Sequence, residues 1–126
     1  MKCPSDLVVF KKADELVKTV YWLTNHFPSE EKFELVKQIR RAAVSVPSNL
    51  AEGCSRTSPK DFARFVEIAL GSAMELEYQL GLARDLLSMG AFVAMKLDVL
   101  EVDRVVNQAV EVVKMLRSLH RHWQES

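Results

Sequence analysis

QIRRAAVSVPSNLAEGCSR, residues 38–56, decides how this chain folds. With the residue two places before it, the stretch sets Val36, Ile39, Ala43, Val46 and Leu50 at alternating steps of three and four. That spacing puts all five on one helical face, a seam for packing on other helices. Pro47 falls inside the pattern. It removes one backbone donor and crowds the carbonyl of Ala43, yet Leu50 keeps the phase. The expectation is one kinked helix over about residues 29–52. Gly53 then reads as a left-handed C-cap.

The other side of this helix is less ordinary. Gln38, Arg41, Ser45, Asn49, Glu52 and Arg56 line up as a polar stripe. A solvated face normally fills with Lys and Glu, whereas Ser45 and Asn49 are short groups that bond to nearby backbone. One reading is local bonding around Pro47; the other is an interface with a second helix, in this subunit or another. Glu75 and Glu77 are natural partners for Arg40 and Arg41, and such pairs set register more than they stabilise. The candidate interface is therefore Arg40, Arg41, Ser45, Asn49, Glu52, Glu75 and Glu77.

Three further periodic segments flank this one. Over about residues 7–26, Phe10, Ala13, Val17 and Val20 share a face, Ser5 or Asp6 can cap, and Pro28 ends the run. Ser58-Pro59-Lys60-Asp61 starts a helix over about residues 59–88, with Phe62, Phe65, Ala69, Leu76, Leu80, Ala83 and Leu87 on one side and an end near Gly90. Gly71, Ser72 and Ala73 leave room there for close backbone approach. Over about residues 94–122, Val99, Val102, Val106, Ala109, Val113 and Leu116 repeat with helical period, which overrides the strand preference of valine. The expected fold is all-α: one domain over residues 1–126, an antiparallel up-down-up-down four-helix bundle. Leu7, Val8, Trp22, Leu23, Val105, Val112 and Leu119 lie beyond a single seam and read as surplus apolar area, a mark of a contact surface.

Chemistry is sparse. Seventeen basic and seventeen acidic residues cancel, so no strong field draws the chain to nucleic acid or to an anionic membrane. Up to Arg56 nine basic residues face seven acidic ones, an excess of only two. Lys32, Lys37, Arg40 and Arg41 give the second helix a basic half; Lys11, Lys12, Lys18, Lys37, Arg40 and Arg41 are the possible nucleic-acid contacts, without an aromatic stacking platform interleaved with them. Cys54, Ser55 and Ser58 share a loop that has no adjacent base and no nucleophile elbow. His120 and His122 diverge on their helix, so they do not share a metal easily. With Arg117 and Arg121, His120 reads as part of a cationic helix end. The expectation is no enzyme, no cofactor, no metal and no small-molecule substrate. Cys3 and Cys54 read as reduced thiols. The absence of a leader pattern or an apolar run near the ~18 residues of a membrane span places the chain in the cytoplasm.

LVKQIRRAAVSVPSNLAEGCSR (residues 35–56), followed by FVEIALGSAMELEYQL (residues 65–80), resembles the signature of the bacterial four-helix bundle protein family. Members are encoded within intervening sequences of large-subunit ribosomal RNA genes and elsewhere, and are sometimes labelled ribosomal proteins. DLVVFKKADELV (6–17) and FPSEEKFEL (27–35) extend the likeness, while the last helix matches only in pattern. Phe10 stands where the family often has Trp, and Met89-Gly90-Ala91-Phe92 replaces a common Gly-Tyr. The resemblance implies a homopentameric ring around a central channel. Distant relatives are the accessory proteins of diversity-generating retroelements, basic pentamers that bind a reverse transcriptase and its RNA. The expected function is a non-enzymatic assembly or interaction protein whose partners are itself and an RNA or protein. The alternative is an RNA-binding accessory acting with a reverse transcriptase or on ribosomal RNA.

Overall fold

A computed structural model describes residues 7–31, 34–92 and 96–124. Among them are four α-helices and no strand: α1 (Val8–Thr24), α2 (Leu35–Cys54), α3 (Pro59–Ser88) and α4 (Val99–Gln124), with a 3-10 turn at Ser29–Glu31 between α1 and α2. Ser5, Asp6, Cys3, Lys32 and Ala94, named in the sequence reading, lie outside the described residues.

Each helix packs on two neighbours in the cyclic order α1, α2, α3, α4, with the α1 contacts the smaller ones. Residue pairings give the directions. Ser45 meets Ser72 and Gly53 approaches Phe62, so α2 and α3 are antiparallel. Arg84 meets Asp103, Met74 meets Arg117 and Phe62 meets Trp123, so α3 and α4 are antiparallel. Val8 and Lys12 on α1 lie beside Leu119 and Glu111 on α4, again in opposite sense. The bundle is up-down-up-down.

Local chemistry sets the helix ends. Ser58 accepts from the Asp61 amide at 3.0 Å and Pro59 occupies the first helical position, as the sequence predicts for α3. At its far end Gly90 has φ +79°, while the Gly90 and Ala91 amides donate to the carbonyls of Leu87 and Leu86. These two bonds form a Schellman motif. The start of α4 is four to five residues later than expected, because Asp98 accepts from the Glu101 amide at 3.0 Å and acts as the cap. Asp98-x-x-Glu101 is the sequence signal for it. α2 also starts later, at Leu35 rather than near residue 29. After Pro28 the chain makes its 3-10 turn, which lets Phe27 bury against Phe92 at one end of the bundle, ring centroids 5.5 Å apart.

The seam residues Val36, Ile39, Ala43, Val46 and Leu50 are all buried, and α2 runs through Pro47 without interruption. Gly53 corrects the sequence reading. It lies inside the helix at ordinary φ, and a Cβ there would stand 2.9 Å from Phe65 Cβ and 3.2 Å from Phe62. Its role is close approach of α2 to α3. Gly71, read as a close-approach position, is exposed with nothing within 4 Å of a built Cβ; its neighbours Ser72 and Ala73 face inward instead. Leu23, Val105 and Val112, read as surplus surface, are core residues, and Leu7 and Leu119 pack partly against the core. A helix with two neighbours buries a stripe wider than one seam.

One buried polar atom stands out. Gln79 is 6% exposed, and its Oε1 has no hydrogen-bond partner among the described residues. An unmade buried bond costs about 1–3 kcal/mol. Gln79→Met, close in shape, is therefore expected to raise the urea-unfolding free energy by about 1 kcal/mol. A loss of stability would show that the amide is bonded in solution.

Candidate functional site

The polar stripe of α2 is mostly tied up locally. Ser45 Oγ and Ser72 Oγ share a hydrogen bond at 2.7 Å across the α2–α3 seam. Asn49 Nδ2 donates to Ser45 Oγ at 3.0 Å and to the Ser45 carbonyl at 2.8 Å. Glu52 pairs with Arg56, and the Ser55 hydroxyl donates to the Glu52 carbonyl. The Arg56 guanidinium lies 4.9 Å from the Phe65 ring centre, and Arg64 lies 4.5 Å from the same ring. Local bonding dominates the stripe, and one serine pair bridges α2 and α3.

The arginines part company. Arg40 Nε donates to Thr24 Oγ1 at 2.8 Å and Nη2 donates to Asn25 Oδ1 at 3.0 Å, while the guanidinium lies 4.6 Å from the Tyr21 ring centre. Thr24 is fully buried, and its hydroxyl donates a hydrogen bond to the Val20 carbonyl at 2.8 Å. Arg40 therefore fastens α2 to α1, which corrects the expectation that Glu75 or Glu77 of α3 would take it within the subunit. Arg41 is exposed and has no ion-pair partner among the described residues; Glu75 is exposed and Glu77 half-buried. Sequence reasoning missed Thr24 and Asn25 because neither carries charge.

The lysines also separate. Lys12 pairs with Glu111 at 3.6 Å across α1 and α4, and Lys18 pairs with Asp14 one turn back at 2.9 Å. Lys11 is exposed on α1. Lys37, Arg40 and Arg41 gather with Tyr21, Val36 and Val44 around an open groove of about 440 Å³. A larger groove of about 590 Å³ lies where the start of α3 meets the end of α4, lined by Lys60, Arg64, Glu67, His120 and Trp123 among others. His120 Nε2 stands 3.5 Å from Glu67 Oε2 in it. A third, of about 450 Å³, is lined by Leu7, Val8, Met115 and Leu119 between α1 and α4. Elsewhere on the α3–α4 seam, the 2.9 Å hydrogen bond to Asp103 raises the Arg84 pKa above its ordinary value, against the opposing effect of burial.

Cys54 closes α2 half-buried. Among the described residues there is no cluster of three or more His, Cys, Asp or Glu suited to a metal, and no helix long and apolar enough to cross a membrane.

Residues 5–118 match the family model described as 23S rRNA-intervening sequence protein. The chain belongs to that family. A crystal structure of a protein of unknown function from the S23 ribosomal protein family of Bacteroides thetaiotaomicron is similar at TM-score 0.74 and 29% identity, over 90% of this chain and 96% of that one. No curated protein matches the chain. In this chain residues 35–56 supply the α1–α2 tie through Arg40 and the α2–α3 seam through Ser45 and Gly53.

Proposed function

We propose that this chain is a non-enzymatic assembly protein of the cytoplasm, a homopentameric ring of bundles that presents one face repeatedly to a partner. The observation that carries the reading is a pair of unlike apolar patches. One is the outer stripe of α3, where Ile68, Gly71 and Tyr78 fall at helical spacing and Tyr78 is 70% exposed. The other is the α1–α4 groove around Leu7, Val8 and Leu119, with Val8 itself exposed. Patches of different shape join head to tail, and such contacts make a ring when the rotation per subunit closes. Glu75 lies within the α3 stripe and offers a neighbour's arginine a register point.

Light scattering is expected to give about five times the 14.3 kDa of one chain at micromolar concentration, the mass of the proposed pentamer. Tyr78→Glu should lower that mass without changing helical content, since its side chain points outward. A monomer mass for the unsubstituted chain would overturn the assembly reading.

A further inference from the structure

The bundle brings together what the sequence keeps apart. Tyr21, 41% exposed, lines the α1–α2 groove with Lys37, Arg40 and Arg41 of α2, and Trp22, 50% exposed, is the next residue along α1. Tyr21 and the Arg40 guanidinium already lie face to face, 4.6 Å from ring centre to carbon. Thr24 and Asn25 hold two of the five guanidinium donors, which fixes the plane and leaves the rest available. Trp22 is held as well: the His26 ring packs edge-on 5.0 Å away, and His26 Nδ1 bonds to the Trp22 carbonyl at 2.9 Å. Glu34 lines an adjoining groove with Lys37, Gln38 and Arg41, so Lys37, Arg40 and Arg41 keep a surplus of two positive charges over it.

We propose that this α1–α2 face binds single-stranded nucleic acid, with bases stacking on Tyr21 and Trp22 and phosphates meeting Lys37, Arg41 and the outer edge of Arg40. Single strands need aromatic platforms as well as cations, because their bases are unpaired and offer a π-face. Acidic protein partners need only the cations. The exposed Tyr21 beside the cations, with the exposed Trp22 next to it in the chain, favours the nucleic acid. The neutral net charge limits non-specific attraction but leaves a preformed site of this kind intact. The site is complete within one subunit, so it stands apart from the ring; a ring would add avidity.

The test uses the full chain with a fluorescein-labelled oligouridylate, an oligothymidylate of equal length, an RNA duplex and polyglutamate. Anisotropy should rise with the oligouridylate at ~10–100 µM protein, and affinity should fall about thirtyfold from ~50 to ~500 mM salt if two phosphates are engaged. Trp22→Leu and Tyr21→Leu should each weaken binding by about fivefold or more. Lys37→Glu with Arg41→Glu should abolish binding, while Lys12→Glu, on the α4 flank, should leave it unchanged. Oligothymidylate bound equally well would assign the site to single strands of either sugar. No anisotropy change at low salt, equal loss in Lys12→Glu, or duplex or polyglutamate bound as tightly as the oligouridylate would each overturn the proposal. Tyr78→Glu separates it from the ring: one subunit should still bind, more weakly.

Discussion

Phe62→Ala is expected to destabilise the bundle by about 3–5 kcal/mol, a large share of the 5–15 kcal/mol by which domains of this kind are stable. Phe62 is 1% exposed and sits where three helices converge. It belongs to the first turn of α3, lies beside Gly53 at the end of α2, and meets the Trp123 ring of α4 edge-on at 5.1 Å. Removing it loses the transfer energy of the ring and leaves a cavity that rigid helix ends close only in part. Urea unfolding measures the loss. Tryptophan emission should also shift toward red, because Trp123 loses its contact. A change below about 1 kcal/mol would mean that the site refills, contrary to the packing described.

Gly53→Val should cost about 2–3 kcal/mol by the opposite route, overpacking. Its Cβ would meet Phe65 Cβ at 2.9 Å, and that atom is anchored to the backbone of α3, so relief requires the helices to separate. Arg56 and Arg64 stand against the Phe65 ring, which leaves it little room to retreat. Gly71→Ala is the control. A methyl there meets nothing within 4 Å, so the better helix propensity of alanine should add roughly 0.5–1 kcal/mol of stability. Thermal denaturation of the two variants should therefore move in opposite directions. If Gly53→Val melts with the unsubstituted chain, the close α2–α3 approach is absent in solution.

What the sequence reveals and what it hides follows from the range of the interactions. α3 is legible at both ends because Ser58-Pro59 and Gly90 act within a few residues. The α2 seam is legible because helical phase alone sets it. The start of α4 was carried in Asp98-x-x-Glu101, but the apolar residues before it drew the boundary too early. Arg40 shows a different limit. Its partners lie 15 and 16 residues back on another helix, and matching charges selects Glu75 and Glu77 over a neutral threonine and asparagine. The aromatic-basic face is illegible for the same reason, since Tyr21 joins Lys37 and Arg41 only when α1 docks on α2. Of the surplus apolar residues, Val8 and Trp22 are exposed, whereas Leu23, Val105 and Val112 are core, because a single seam underestimates what a four-helix bundle buries.

The light packing of α1 has its own thermodynamic weight. Its contacts with α2 and α4 are the two smallest in the bundle, so its detachment costs less than that of any other helix. The Arg40 bonds to Thr24 and Asn25 resist that step, and so does whatever occupies the face α1 shares with α2. A ligand there favours the docked state over the opened one and raises the apparent stability of the whole chain in proportion to the logarithm of its concentration above its Kd. Recognition and integrity of the bundle are thus linked functions of one helix.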